Sequence, residues 1–352
     1  MQKKNILYFY TAESPFIEKD IAILSLKSKV IRFHFNLYDK KRMLLILLKQ
    51  FFFLLRNILS SELIVCQFAG LHAFLPVLFA KIFFKKSVVV AGGTDCVGFP
   101  SINYGNFANK KNATLTRFCF KNTSLIFPVH ESLVLYDYTY QPNDFPQQGI
   151  KYFIPELKTQ ITTIYNGYDS EYWKNTVGIK EISSFITVLG HMNSRFTMQL
   201  KGIDLFISLC NSFPYSTFTI VGGNGIKLSN KPANLQLLTN IWGRDLVDLF
   251  SRKQFYVQLS MSEGFPNALS EAMLCECVPL VSNVGGMPDI VSGHGYILYE
   301  KDEEVLKNLV KEALANPFNK DLGKKSREEI KNHYSVAKRQ EKFLKEIERI
   351  FS

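Results

Sequence analysis

The sequence contains no Asp-x-Asp pair, no Cys-x-x-Cys pair and no Gly-x-Gly-x-x-Gly turn after its first apolar run. The missing acidic pair leaves a divalent metal without an evident anchor. The missing glycine turn, absent from "YFYTAES" (8–14), argues against a dinucleotide oxidoreductase. Six cysteines occur, Cys66, Cys96, Cys119, Cys210, Cys275 and Cys277, and they are scattered without zinc spacing. They read as buried free thiols in a reducing compartment. There is no low-complexity tract and no short repeat, which sets solenoids and propellers aside. The apolar run after Lys3 and Lys4 is short and reaches Glu13 without a cleavage-like site, so a cytoplasmic location is expected.

The chain has 352 residues, which suits two domains rather than one core. With 47% hydrophobic and 21% charged residues, the composition is globular rather than disordered. The net charge of +11 is unevenly placed. Met1 to Tyr165 holds 20 Lys+Arg against 10 Asp+Glu, whereas the remainder holds 22 against 21. The first half should therefore meet something anionic.

Apolar runs without clean alternation predict buried parallel strands at 5–10, 29–35, 62–68, 87–92, 124–129 and 161–166 in the first half. In the second half they fall at 184–190, 216–222, 234–238, 254–260, 278–283 and 295–299. Helical patterns separate them, so each half reads as an open α/β sheet. The join lies near "IYNGYDSEYW" (164–173), where Asn166-Gly167 signals a turn. "SVAKRQEKFLKEIERIF" (335–351) is an amphipathic helix with Phe343, Ile347, Ile350 and Phe351 on one face.

One string stands out: "SEGFPNALSEA" (262–272), in which Glu263 and Glu271 bracket a Gly-Phe-Pro-Asn turn. It follows the strand at 254–260, so Glu263 lies at a carboxyl end, where open α/β sheets bind ligands. Pro266 fits the first helical position, with Asn267 to Glu276 continuing as a helix. Amides near Phe265, Asn267 and Ala268 would then form an anion site, with Gly264 permitting close approach. Glu271 would sit about one turn inside. A phosphate flanked by two hydroxyl-bearing groups is a ligand of that shape. Taken singly, either glutamate is an ordinary loop or helix residue; the whole string is not.

The string resembles the signature of family 4 (group 1) retaining glycosyltransferases of GT-B fold, and "CVPLVSNVGGMPDIV" (277–291), with Gly285, Gly286 and Pro288, continues the match. The resemblance implies two Rossmann-like doubly wound domains facing across a cleft. An acceptor-binding domain would span 1–165, a nucleotide-sugar domain 166–330, and a C-terminal helix, 331–352, would return toward the first. It implies that Glu263 contacts the donor sugar, Glu271 the ribose, and the intervening amides the diphosphate. "SRFTMQLKGIDLFI" (194–207) is similar to the family's Arg-then-Lys-Gly segment, which would give Arg195 and Lys201 to the diphosphate. "FTIVGGNG" places Gly222, Gly223 and Asn224 after a strand as a phosphate- or ribose-sized loop. "IWGRDLVDLFSR" resembles the segment that meets the base, through Trp242 and Gly243.

Two departures mark the first half. The loop from Thr11 to Phe16 lacks the glycine pair many members place beside the diphosphate, and the fourth-strand loop lacks their histidine. Asp95 is the polar residue there: a catalytic candidate, or a turn aspartate capping amides. His130 reads as structural. The resemblance further implies a retaining transferase in surface polysaccharide or glycoconjugate synthesis, with no metal or other cofactor. Leaving-group charge would be met by Arg195, Lys201 and the helix start. The partners would be a nucleotide sugar and a saccharide or lipid-linked acceptor, not nucleic acid. A non-catalytic nucleotide-sugar-binding scaffold is the rival; a glycoside hydrolase would want its carboxylates on opposite sides of the scissile bond. "KKRMLLILLKQFFFLLRNIL" (40–59) is apolar, with Arg42, Lys49 and Arg56 at seven-residue steps on one helical stripe. It is too charged and short to span a bilayer. It is either a helix buried on the first sheet or a peripheral contact with the anionic inner face of the membrane.

Overall fold

The computed structural model describes residues 4–37, 39–141, 145–190, 195–223, 228 and 230–351. The chain divides into two compact units. The first comprises Met1–Asp137, Asp144–Asn166 and Arg339–Ser352, the second Tyr138–Asn143 and Gly167–Lys338.

In chain order the first unit holds β1 (Lys4–Tyr10), α1 (Pro15–Ser25), β2 (Ser28–His34), α2 (Met43–Asn57), β3 (Leu63–Gln67), α3 (Leu71–Ile82) and β4 (Lys86–Ala91). There follow α4 (Lys110–Asn122), β5 (Leu125–Pro128), the hairpin strands β6 (Tyr136–Asp137) and β7 (Gln147–Gln148), α5 (Ile150–Phe153) and β8 (Gln160–Ile161). The sheet order is β2-β1-β3-β4-β5-β8, and every pairing in it is parallel. The run expected at 161–166 leaves the ladder after Ile161. It stays extended, however: Thr162 N donates to Ile126 O at 3.0 Å and Ile164 N to Pro128 O at 2.8 Å.

The second unit holds β9 (Glu181–Val188), α6 (Arg195–Leu200), α7 (Ile203–Ser212), β10 (Thr217–Val221), β11 (Leu235–Leu238), α8 (Arg244–Arg252) and β12 (Lys253–Gln258). Then come α9 (Asn267–Leu274), β13 (Val278–Ser282), α10 (Met287–Val291), β14 (Tyr296–Leu298), α11 (Glu303–Ala315) and α12 (Asn319–His333). Its parallel sheet runs β11-β10-β9-β12-β13-β14. Phe218, Phe185 and Phe255 lie opposite one another on three neighbouring strands and stack at 4.9 Å on either side of Phe185. Such a ladder pins register across the middle of the sheet.

The last helix, α13 (Val336–Phe351), begins in the second unit and from Arg339 onward is counted with the first. Arg339 makes that docking specific. Its Nε and Nη2 donate to the two carboxylate oxygens of Asp20 on α1, each at 2.7 Å. Its Nη1 donates to the carbonyls of Ile164 and Tyr165. The segment 138–141 crosses the other way: the Tyr138 hydroxyl donates to Met261 O at 3.0 Å, and Lys301 N donates to Tyr140 O at 2.9 Å. No sequence pattern announced that crossing.

Candidate functional site

In the second sheet β10 and β11 extend one way from β9, and β12 to β14 the other. The strand order therefore reverses between β9 and β12, and the carboxyl ends at such a switch point are where open α/β sheets take ligands. Glu263 lies on the loop leaving β12, with its side chain 13% exposed. Its Oε1 accepts from Lys201 Nζ at 2.6 Å and from Gln258 Nε2 at 2.8 Å. The buried Tyr256 hydroxyl donates to Gln258 Oε1 at 3.1 Å and so fixes the amide's orientation. Burial first, then the charges of Glu263 and Glu271, hold the Tyr256 pKa well above its ordinary value. Gln258 and Tyr256 were missed in the sequence; the signal was a glutamine closing the Phe-Tyr-Val run of the strand.

Backbone packing explains two glycines of the pattern. Gly202, beside Lys201, has φ +66, and a Cβ there would come within 2.1 Å of Leu259 O. The turn between α6 and α7 can thus press onto the end of β12, where Met261 N donates to Leu200 O at 2.8 Å. Gly285 has φ +57, and its Cβ would lie 1.7 Å from Glu263 O. Gly286 N donates to Gly264 O at 3.0 Å. The Gly-Gly pair therefore braces the backbone that carries Glu263. Gly285→Ala is expected to shift that loop and, on the transfer activity proposed below, to lower turnover by up to about 100-fold, as an ångström-scale misplacement does. Steady-state kinetics beside a thermal melt checks this, and unchanged turnover would show the brace to be dispensable.

The loop enters α9 one residue later than expected. Pro266 is the N-cap, with ψ 119°, and the helix runs from Asn267 to Leu274. Proline suits a cap because no hydrogen bond is asked of its nitrogen. The start of α9 carries the positive end of the helix dipole. Phe265 is 5% exposed and packs between Tyr168 and Tyr334, so its side chain is a packing element. Asn267 Oδ1 accepts from the Tyr168 hydroxyl at 2.7 Å. Ala268 and Glu271 are half-buried, the latter one turn into the helix.

Gly222 closes β10 by donating to Leu238 O at 2.8 Å, and Gly223 follows with φ +65. Asn224 lies outside the described residues, as does the side chain of Arg195, which opens α6. Trp242 is 69% exposed on the loop leaving β11, and Gly243 caps α8.

Asp95 takes the amide-capping position, the second of its two readings. It is 1% exposed, and its carboxylate accepts from Ala69 N at 2.9 Å and from Gly92 N and Gly93 N at 3.1 Å each. Burial raises its pKa while the amide donors oppose the rise. It fastens the loops leaving β3 and β4 together. His130 is 1% exposed and its Nδ1 accepts from Ser132 N at 3.1 Å. Arg42, Lys49 and Arg56 are exposed, but Arg42 stands in the short 3-10 turn before α2 rather than within it.

The fold is GT-B. The chain is similar over 99% of its length to sucrose-phosphate synthase from Thermosynechococcus elongatus, with a TM-score of 0.75, 13% identity and 99% of that chain covered. Residues 179–333 match the family model described as glycosyl transferases group 1, and that stretch contains Lys201, Glu263, Glu271 and Gly285. An uncharacterised glycosyltransferase of Methanocaldococcus jannaschii is 31% identical over 184 residues, 49% of each chain. The Escherichia coli UDP-Gal:alpha-D-GlcNAc-diphosphoundecaprenol alpha-1,3-galactosyltransferase is 24% identical over 204 residues, 52% of each. The chain spans about half the length of the curated relatives it matches.

Proposed function

We propose that this protein is a retaining, metal-independent glycosyltransferase of the family 4 kind, moving a sugar from a nucleotide sugar to a saccharide or lipid-linked saccharide acceptor. The observation that carries the reading is the Lys201–Glu263–Gln258 cluster at the switch point, beside the start of α9 and inside the stretch that matches the family model. A diphosphate placed there would meet the Lys201 ammonium and the helix start, fixed positive groups that offset leaving-group charge without a metal. Glu263, held by Gln258, would accept from donor-sugar hydroxyls. Glu271 would accept from ribose hydroxyls one helical turn away. The lipid-linked saccharide acceptor named for the E. coli relative supports that acceptor class here.

The test is a thermal-shift panel of nucleotide sugars, followed by mass spectrometry of products with saccharide and lipid-diphosphate acceptors. Stabilisation by one donor and transfer with the anomeric configuration kept are expected. Donor binding with neither transfer nor slow donor hydrolysis would instead indicate the scaffold. Lys201→Ala is expected to weaken the nucleoside diphosphate by about 1.5–3 kcal/mol, the loss of one charge-assisted contact, while the nucleoside alone is little affected. Equal weakening of both ligands, measured calorimetrically, would move the lysine off the phosphates. Activity should persist in excess chelator.

A further inference from the structure

The inward face of α2 is anchored by a few residues: Leu54 is buried, and the buried Gln50 donates through Nε2 to His72 O at 2.7 Å. Its outward face is not polar. Leu44 is 72% exposed and Phe52 63%, with Leu48 and Leu55 also exposed. At 100° per residue these four fall within an arc of roughly 80°. Lys49 and Arg56 flank that arc about 50° further round. The apolar surface continues past the helix end through Leu59, whose carbonyl accepts from Lys85 Nζ at 3.1 Å. Lys85 follows Phe84, which is 94% exposed at φ +53. A left-handed conformation at a residue other than glycine is itself unfavourable, and here it holds a whole phenylalanine ring in solvent. From Asp39 to Lys86 there are eight Lys+Arg and two acidic residues, Glu62 and Asp39, the latter 3.8 Å from Arg42 Nε.

We propose that the outward face of α2, together with the turn at Phe84, is a docking surface for an anionic lipid bilayer, with the helix lying in the interface plane. The alternatives fit less well. The fifteen residues of α2 are about 22 Å long, too short to span, and among the described residues no helix is long and apolar enough to cross a membrane. A second copy of the same face would bring like charges together. A surface that is apolar in the centre, basic at the flank and nearly free of acids matches acyl chains beneath anionic headgroups. This inference does not rest on the glycosyl-transfer reading, since every residue it uses lies in the first unit.

The experiment is flotation of the full chain with vesicles of phosphatidylcholine alone or mixed with phosphatidylglycerol, at low and high salt. Wild type is expected to float with the anionic vesicles and to be released as salt screens the attraction. Each basic residue near an anionic surface strengthens binding about fivefold, so the triple Arg42→Gln, Lys49→Gln, Arg56→Gln variant should bind roughly 100-fold more weakly. Phe52→Ser with Phe84→Ser should lose the salt-resistant part of the binding. Both variants alter exposed side chains, and unchanged circular dichroism and melting confirm their folding. No flotation of wild type at low salt overturns the proposal, as does equal binding by wild type and both variants, or equal binding to neutral vesicles. A dimer in light scattering that the Phe52/Phe84 variant dissolves, without flotation, would assign the face to a second copy instead. Nucleotide-sugar binding measured without vesicles is a separate readout, so failure here leaves the proposed activity standing.

Discussion

On the proposed activity, Glu263→Gln is expected to lower the transfer rate by about 100- to 1,000-fold, because hydrogen bonds to sugar hydroxyls that strengthen in the transition state are worth several kcal/mol. Free nucleoside diphosphate should still bind, because Gln keeps the shape of the side chain and the α9 start is untouched. Lys201 loses its carboxylate partner at 2.6 Å in this variant, so its ammonium is, if anything, more available to phosphate. Glu271→Ala should behave oppositely, weakening the nucleotide itself. Paired calorimetry and initial-rate kinetics separate the two outcomes. Wild-type transfer and unchanged donor affinity in both variants would remove the carboxylates from the site.

The largest effect on stability is expected at Arg339. Its side chain is 5% exposed and its partner Asp20 is fully buried, so Arg339→Met would leave a carboxylate without its bidentate counter-charge in the interior of the first unit. Breaking one partner of a buried pair costs about 3–5 kcal/mol. The double variant Asp20→Leu, Arg339→Met should recover much of the loss, because apolar groups need no compensation there. Urea unfolding gives the measurement, with the two units allowed separate transitions. A single variant as stable as wild type would mean that the pair is idle.

Asp20 and Arg339 also show where sequence reasoning stops. They are 319 positions apart, and nothing in either local pattern links them. Strand runs were readable because parallel strands covered on both faces are apolar throughout, and each of the twelve expected runs overlaps an observed strand, the run at 161–166 only at Ile161. The Glu263 loop was readable because its constraint is local: a strand end, a glycine, a proline cap and a helix start follow one another within a dozen residues. Gly285 matched a pattern, but its reason, a backbone contact at Glu263 O, needed coordinates. Asp95 stayed open between two readings because a carboxylate beside glycines suits both catalysis and amide capping, and its three amide partners became visible only in the structure. The hairpin of β6 and β7 escaped notice because two-residue strands leave no periodicity. The apolar face of α2 was visible as composition, but which side of the helix faced solvent was not.

The crossing segment 138–141 has a practical consequence for recombination. Neither unit is a contiguous stretch of chain. A hybrid made by splicing at Asn166-Gly167 would keep one parent's Tyr138 against the other parent's Met261 and one parent's Arg339 against the other's Asp20. Exchanging the second unit cleanly requires a graft of 138–143 as well as 167–338, with the return junction inside α13 between Lys338 and Arg339. A library cut only at the midpoint would therefore score mismatched straps as incompatible specificities.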